Sequence, residues 1–427
     1  MIPVTKTALI LAGGRGMRSA DPTVPKLAQQ VAGQSLLQWH LQWLSESRIE
    51  RVVVVAGYLG SEVAALGTAV DNKGLEIRVI QEEKPIGTYG AVKFADQEIE
   101  ESSYLVVLGD VLTAIPTDIF ITRTLVSGKN VGIVAHPSTH PEDSDSVFRH
   151  WDDRVTFSPK GTMTQGIPNM SAAGVFFISS SAISKYADAV DLGTDLLRQA
   201  AADKDLYVFE SSHYLKDSGT PKRLIQIEED LSSGAFDRRG SLDLRKALLL
   251  DRDGVINPQL PEVYQANKYK LSDGVGEAIL EANKEGIPVV VITNQPGIAK
   301  GLMGFDEHEQ IRAAMDSQVG SFGAFVDDYF FCPHHPDSGF KGETLELKVN
   351  CSCRKPEAGL ALQAADKHGF DLQRSVMVGD TWRDQGLCAE VGAEFIHISP
   401  VCDLGSEHVC FTAAPDAIRY AIKELRC

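Results

Sequence analysis

Lys246-Ala-Leu-Leu-Leu-Asp-Arg-Asp-Gly-Val-Ile256 is a short apolar run followed at once by two aspartates and a glycine. An apolar run without polar alternation is what a strand covered on both faces requires, as in parallel α/β sheets. Ligands of such sheets gather at the carboxyl ends of the strands. Asp251 and Asp253 fall at that edge. Carboxylates at i and i+2 suit metal-assisted phosphoryl transfer, one attacking phosphorus while the other manages the leaving-group proton. An isolated pair of this kind would equally fit a solvated acidic turn.

Three further segments downstream argue against that plainer reading. Val289-Val-Val-Ile-Thr-Asn294 is a second strand, ending in a hydroxyl and an amide able to bond phosphate oxygens. Arg354 and Lys355 supply two cations, and a lysine point charge neutralises a phosphoryl group in transfer. Val376-Met-Val-Gly-Asp-Thr-Trp-Arg-Asp384 is a third strand, ending in carboxylates that suit Mg²⁺, an ion that takes oxygen ligands.

These four features stand in the order of the haloacid dehalogenase superfamily motifs. Within that superfamily, the span from about Lys246 to Phe395 resembles the D-glycero-D-manno-heptose-1,7-bisphosphate 7-phosphatase and histidinol-phosphatase group. The resemblance rests on Asp251-Arg-Asp-Gly254, Thr293-Asn-Gln-Pro-Gly-Ile-Ala-Lys-Gly301, Cys332-Pro-His-His-Pro336 and Cys351-Ser-Cys-Arg-Lys-Pro356. It implies that Asp251 is the nucleophile and Asp253 the general acid/base, whose backbone carbonyl also meets Mg²⁺. It further implies that Thr293 and Lys355 hold the phosphate, Asp380 completes the magnesium site, and Arg354, Asn294 and Gln295 bind substrate. Asp384 is expected behind these.

The seven cysteines all lie at or after Cys332. Cys332-x-His334 and Cys351-x-Cys353 together offer three thiolates and one imidazole, the composition of a closed, structural zinc site. His335 competes with His334 on composition; the family resemblance implies His334. Cys388, Cys402, Cys410 and Cys427 are expected to be ordinary thiols.

The 427 residues exceed one ordinary core, and 43% hydrophobic content lets each half bury its own. Apolar, β-branched runs alternate with helical stretches throughout, predicting strands in the first half at 7–11, 51–56, 76–80, 104–108, 131–135, 174–178 and 206–210. In the second half they fall at 246–250, 288–293, 328–332, 375–378 and 394–397. The polar, aperiodic run Ser232-Ser-Gly-Ala-Phe-Asp-Arg-Arg-Gly-Ser241 reads as a join. The expected domains are therefore 1–235 and 245–427, with a linker at 236–244. A net charge of −17 argues against nucleic-acid or anionic-membrane partners. Neither a membrane-length apolar run nor a signal-peptide pattern is visible, so a cytoplasmic enzyme is expected.

In the first half, Ala8-Leu-Ile-Leu-Ala-Gly-Gly-Arg-Gly-Met-Arg18 is a strand entering a glycine-rich turn. The amides of Gly13 and Gly14 can approach a triphosphate and Arg15 can neutralise it. A dinucleotide site or a plain tight turn would also fit. Leu105-Val-Val-Leu-Gly-Asp110 and Asp217-Ser-Gly-Thr-Pro221 each supply an aspartate, and two separated carboxylates suit a Mg²⁺ bridging triphosphate and acceptor.

With Lys26 and Pro85-Ile-Gly-Thr-Tyr-Gly-Ala91, residues 5–231 resemble the sugar-1-phosphate nucleotidyltransferases, in their mannose- and heptose-1-phosphate guanylyltransferase form. The resemblance implies a Rossmann-like mixed sheet and assigns Gly13, Gly14, Arg15, Arg18 and Lys26 to the triphosphate. Gly87 goes to base and sugar, Lys160 to the sugar phosphate, Asn169 and Gly174 to the sugar, and Asp110 and Asp217 to the metal. Met17, Ser19, Leu27 and Pro159 depart from the family pattern. The combined expectation is a bifunctional enzyme acting on heptose phosphates and a nucleoside triphosphate, GTP by resemblance. Two alternatives stay open: a histidinol-phosphate phosphatase joined to another nucleotidyltransferase, and a phosphatase regulated by a non-catalytic nucleotide-sugar-binding domain.

Overall fold

The computed structural model describes residues 5–14, 24–57, 59–162, 166–240, 243–259, 264–402 and 409–426. It divides into two compact units. The first comprises Met1–His136, Glu142–Thr162 and Met170–Ser233; the second comprises Pro137–Pro141, Met163–Asn169 and Gly234–Cys427.

The first unit is built on a nine-stranded mixed sheet. Thr7–Ala12 lies inside it, parallel to Arg51–Ala56 on one side and to Ser103–Leu108 on the other, with Thr7 opposite both Arg51 and Tyr104. Glu76–Gln81 extends the parallel side. Ser171–Ser179 runs antiparallel to Ser103–Leu108, and its pairing with Val131–His136 shifts register between Ala172 and Phe176. Gly174, at φ +72°, sits in that irregularity, where a Cβ would lie 2.9 Å from Val111 and 3.2 Å from Leu108. Helix Leu36–Ser45, N-capped by the Ser35 hydroxyl, buries Leu37, Leu41 and Leu44 against Ile10, Val52, Val54 and Val107. A separate two-stranded ribbon pairs Val111–Thr113 with Leu215–Asp217 and sets Asp217 opposite Val111. That pairing carries the second aspartate to the strand tip that bears Asp110.

The second unit has six parallel strands. Across the sheet they run Asp328–Cys332, Val289–Asn294, Leu248–Leu250, Val376–Gly379, Glu394–Ile398 and Val409–Phe411. In chain order this is 3-2-1-4-5-6, so the connections change sides between Leu248–Leu250 and Val376–Gly379, where a doubly wound sheet opens its ligand crevice. Leu248 and Leu250 join a core with helices Val275–Lys284, Phe305–Gly320 and Ala414–Arg426. Leu249 joins another, with Gly359–His368 and Trp382–Val391. All three leucines are fully buried, each stabilising the fold by ~1.5–3 kcal/mol.

Two expectations are corrected. The stretch read as an irregular linker at 236–244 is helical over Ala235–Gly240, and Arg239 within it is buried against Asp327. A buried ion pair holds there what composition alone would leave loose. Cys402 and Cys410, expected as plain thiols, form a disulfide. The short edge strand Val409–Phe411, missed in the sequence, brings their Cα atoms to 5.6 Å, within disulfide reach. Cys427 lies outside the described residues.

Candidate active sites and metal centre

In the second unit, Asp251 follows one strand tip at the switch point and Asp380 follows the adjacent one. Carboxylate oxygens of Asp251, Asp380 and Asp384 lie within 4.8 Å of one another. The Lys355 ammonium stands among them, 2.9 Å from Asp251 and 2.6 Å from Asp384, and donates to the Ile292 carbonyl at 2.8 Å. Three carboxylates against one buried lysine leave an excess of negative charge. Burial pushes Asp251 up to about 7, with Lys355 opposing. Burial, reinforced by Asp384, raises Asp380 to about 6. Asp380 Oδ1 is buried without a hydrogen-bond partner among the described residues. An orphaned oxygen beside surplus carboxylate charge suits a hard divalent cation. Gly254, at φ +90°, makes room, since a Cβ there would overlap the Asp380 carboxylate.

Thr293, Asn294, Arg354 and Asp253 line the same cleft of about 290 Å³, together with Lys300, His335 and Arg383, which sequence reasoning missed. Asn294 clamps Lys355 by its backbone, donating to the carbonyl and accepting from the amide at 3.0 Å each. These bonds position Lys355 while Asn294 still lines the cleft. Gln295 is turned inward, 4% exposed, donating to Asp253 at 2.8 Å and to Thr293 at 3.0 Å. Burial works against the Asp253 charge, yet Arg252, with Asn257 and Gln295, holds that carboxyl below its usual range. Asp384 is fully buried, accepting from the Thr381 amide and hydroxyl at 3.0 and 2.7 Å while meeting Lys355.

Cys332, His334, Cys351 and Cys353 converge, their ligand atoms within 4.8 Å of one another. Five of the separations run from 3.2 to 3.6 Å. A tetrahedron of ~2.3 Å metal–sulfur bonds would space its corners at ~3.8 Å, so the set could hold a metal with slight expansion. His335 points to the cleft instead. Arg354 and Lys355 follow Cys353 directly, and Arg354 donates to the His334 carbonyl at 3.2 Å.

In the first unit, Gly13 and Gly14 end the Thr7–Ala12 strand; Arg15 and Arg18 lie outside the described residues. Lys26 pairs with Asp110 at 2.6 Å. A Cβ on Gly219 would lie 3.0 Å from Asp217 Oδ1 and 3.7 Å from Asp110 Oδ2, so both carboxylates border one spot. Two features went unread: Glu82, whose carboxylate fills the space a Cβ would need at both Gly13 and Gly57, and Arg223, which pairs with Asp217 at 2.7 Å and Asp143 at 3.1 Å. Gly87, at φ +84°, abuts Val190 and caps helix Thr88–Ile99. The Lys160 amide donates to Asp145, and Asn169 bonds the backbone of Ser138 at 2.8 and 3.1 Å. Asn169 belongs to the segment grouped with the second unit. Among the described residues no helix is long and apolar enough to cross a membrane.

Residues 8–141 match the MobA-like NTP transferase domain, and residues 352–399 match the HAD-hydrolase-like family. Among curated proteins, the chain is 38% identical over 151 residues to the D-glycero-beta-D-manno-heptose-1,7-bisphosphate 7-phosphatase of Haemophilus influenzae, covering 35% of this chain and 78% of that protein. Among solved structures, it is similar to the D,D-heptose 1,7-bisphosphate phosphatase of B. bronchiseptica complexed with magnesium and phosphate. That match has 27% identity and a TM-score of 0.37, over 42% of this chain and 99% of that one. It is also similar to HddC from Yersinia pseudotuberculosis, with 22% identity and a TM-score of 0.46, over 53% of this chain and 100% of that one. By its identity to the Haemophilus influenzae phosphatase and the share of that protein it covers, the chain belongs to the D-glycero-beta-D-manno-heptose-1,7-bisphosphate 7-phosphatase family, with a MobA-like NTP transferase domain ahead of its HAD-like domain.

Proposed function

We propose that this enzyme removes the C7 phosphate of D-glycero-D-manno-heptose 1,7-bisphosphate in one domain and nucleotidylates the resulting heptose 1-phosphate in the other. The observation that carries the reading is a pair of carboxylate sites at strand tips, each within its own unit: Asp251 with Asp380, and Asp110 with Asp217. The proposed domains are 1–235 and 245–427.

In the phosphatase, an Asp251 oxygen attacks phosphorus as the bond from phosphorus to the C7 oxygen breaks. Asp253 gives its proton to the departing oxygen. Water then attacks the aspartyl phosphate, passing a proton to Asp253 and freeing Asp251 and inorganic phosphate. Lys355 and Thr293 hold the phosphoryl oxygens, and Arg354 meets the remote end of the substrate. Asp251, Asp380 and the Asp253 backbone carbonyl would hold a magnesium ion, which would supply charge neutralisation at phosphorus. Cys332, His334, Cys351 and Cys353 hold a structural zinc that fixes the loop bearing Arg354 and Lys355.

In the transferase, the heptose 1-phosphate oxygen attacks the α-phosphorus of a nucleoside triphosphate, GTP by family resemblance, and pyrophosphate leaves. Gly13, Gly14, Arg15, Arg18 and Lys26 bind the triphosphate and Gly87 the nucleoside. Lys160 binds the sugar phosphate and Asn169 and Gly174 the sugar, and Asp110 and Asp217 would hold a second magnesium. Catalysis there is positioning and charge neutralisation. The product is a nucleotide-activated heptose for a surface polysaccharide.

The test is a substrate panel read by phosphate and pyrophosphate release. Asp251→Asn is expected to lower phosphate release by about 10³-fold or more and to leave pyrophosphate release intact; Asp110→Ala should do the reverse. Loss of both activities from either substitution in a folded protein, or turnover of histidinol phosphate in preference to the bisphosphate, would refute the proposal.

A further inference from the structure

Between the two motif aspartates stands Arg252, a residue the proposed chemistry does not use. It is 2% exposed, and its guanidinium turns away from the cleft onto Asp253. Nη2 reaches both carboxylate oxygens, at 3.0 and 2.9 Å, and Nε reaches Oδ1 at 3.2 Å. Asn257 donates to Oδ1 at 2.9 Å and Gln295 to Oδ2 at 2.8 Å. The Gln295 carbonyl accepts in turn from Arg252 at 3.0 Å. The carboxylate is thus held from one side by a closed ring of donors, while its side chain stays 32% exposed and lines the cleft.

Behind Arg252 the chain of contacts continues into the core. Nη1 donates to the Tyr329 hydroxyl at 3.3 Å, and that hydroxyl lies 3.2 Å from His308 Nε2. Tyr329 and His308 are 6% and 1% exposed, and the His308 ring packs on Phe331 with centroids 4.1 Å apart. Burial keeps His308 neutral, and in the tautomer protonated at Nδ1 its Nε2 accepts from Tyr329, which accepts from Arg252, which donates to Asp253. An uncompensated buried guanidinium would be costly, and a chain with one consistent donor direction holds it in place.

We propose that Arg252, held by Tyr329 and His308, is the positioning residue of the acid/base Asp253, fixing the carboxylate that exchanges the proton with the attacking water and the sugar oxygen. The inference rests on the phosphatase reading and adds a residue to it. The proton balance is unchanged: Asp253 loses its proton to the leaving oxygen as the phosphorus bond breaks and regains one from the attacking water.

Its test separates leaving groups. A sugar alkoxide needs a proton to depart, whereas p-nitrophenolate does not. Arg252→Met is expected to lower kcat on heptose 1,7-bisphosphate by about 100-fold, with KM and the pre-steady-state burst of p-nitrophenolate from p-nitrophenyl phosphate each changed by less than about threefold. Guanidinium added to the variant should restore part of kcat. Tyr329→Phe, which deletes one oxygen, should show the same selectivity at about tenfold or less and decides the matter if Arg252→Met does not fold. Equal losses of burst and sugar-phosphate turnover in the folded variants would overturn the proposal, as would an unchanged kcat. A wild-type enzyme inactive on the heptose substrate would sink the functional reading instead; the comparison of alkyl with aryl leaving groups would still judge Arg252.

Discussion

Arg239→Ala should destabilise the second unit more than any surface substitution near it. The Arg239 guanidinium faces the Asp327 carboxylate with Nη1–Oδ1 at 2.5 Å and Nη2–Oδ2 at 3.0 Å. Their side chains are 5% and 0% exposed. Arg239 also donates to the Ile287 carbonyl at 3.2 Å and lies over the Phe325 ring at 5.2 Å. Once it is gone, Asp327 keeps the Val289 amide at 2.8 Å and the field of the buried Arg245, but loses the guanidinium that pairs with it directly. Stranding one member of a buried pair costs about 3–5 kcal/mol. At roughly 2–4 °C per kcal/mol for a unit of this size, the melting transition should fall by roughly 6–20 °C in calorimetry of the full chain. Replacing both partners, as Arg239→Met with Asp327→Leu, should recover part of the loss, because the directly paired charges go together while Arg245 loses the Asp327 field. A single variant that melts within about 2 °C of wild type would refute the reasoning, as would a double variant no more stable than the single.

Cys353→Ser should lower phosphate release by about 10- to 100-fold while pyrophosphate release stays unchanged, with loss of bound metal measured by a colorimetric chelator. Gly254→Ala places a Cβ on the Asp380 carboxylate at a left-handed backbone position, costing about 1–3 kcal/mol. It should raise the magnesium concentration needed for half-maximal phosphate release. Burial pushes Asp316 up to about 6, with Arg312 opposing. The folded state therefore keeps that proton to higher pH than the unfolded chain. The stability this contributes is complete below pH ~4 and is lost by about pH 6, at ~1.4 kcal/mol per unit. Asp316→Asn should remove that slope from urea unfolding measured between pH 4 and 8, and an identical slope in the variant would contradict the assignment.

Every strand anticipated in the sequence is present; in Val289–Asn294 and Arg51–Ala56 burial on both faces leaves an unbroken apolar trace, while the more exposed Glu76–Gln81 shows through its alternating isoleucine and valine. Ser146–Arg149 and Val155–Ser158 escaped notice because they are four residues each and mix polar with apolar side chains. Candidates at strand tips, such as Asp251, Thr293 and Asp380, converge in one cleft because parallel strands present their carboxyl ends together. What stayed hidden was partnership. Arg252 between two aspartates reads as surface charge, and nothing local tells that it is buried with Tyr329, distant in the chain. Arg239 reads as part of a polar join, and its partner Asp327 stands just before a strand far downstream. Arg223 stands just past the Asp217-Ser-Gly-Thr-Pro221 string, outside the residues that drew attention. Buried ion pairs across long sequence distances leave no periodic signal.

The strand order of the second unit also governs when its chemistry can first appear. Asp251 follows the earliest strand of that sheet, whereas Asp380 follows the fourth, and only their side-by-side pairing closes the carboxylate cluster. Non-local parallel pairing is slow, and chains fold from the N-terminus as they are synthesised. A ribosome-bound chain that has emerged only as far as residue 375 would hold Asp251, Thr293 and Lys355 but not the strand that seats Asp380. Its hydrolytic capacity would lag behind the transferase unit, most of whose residues are made earlier.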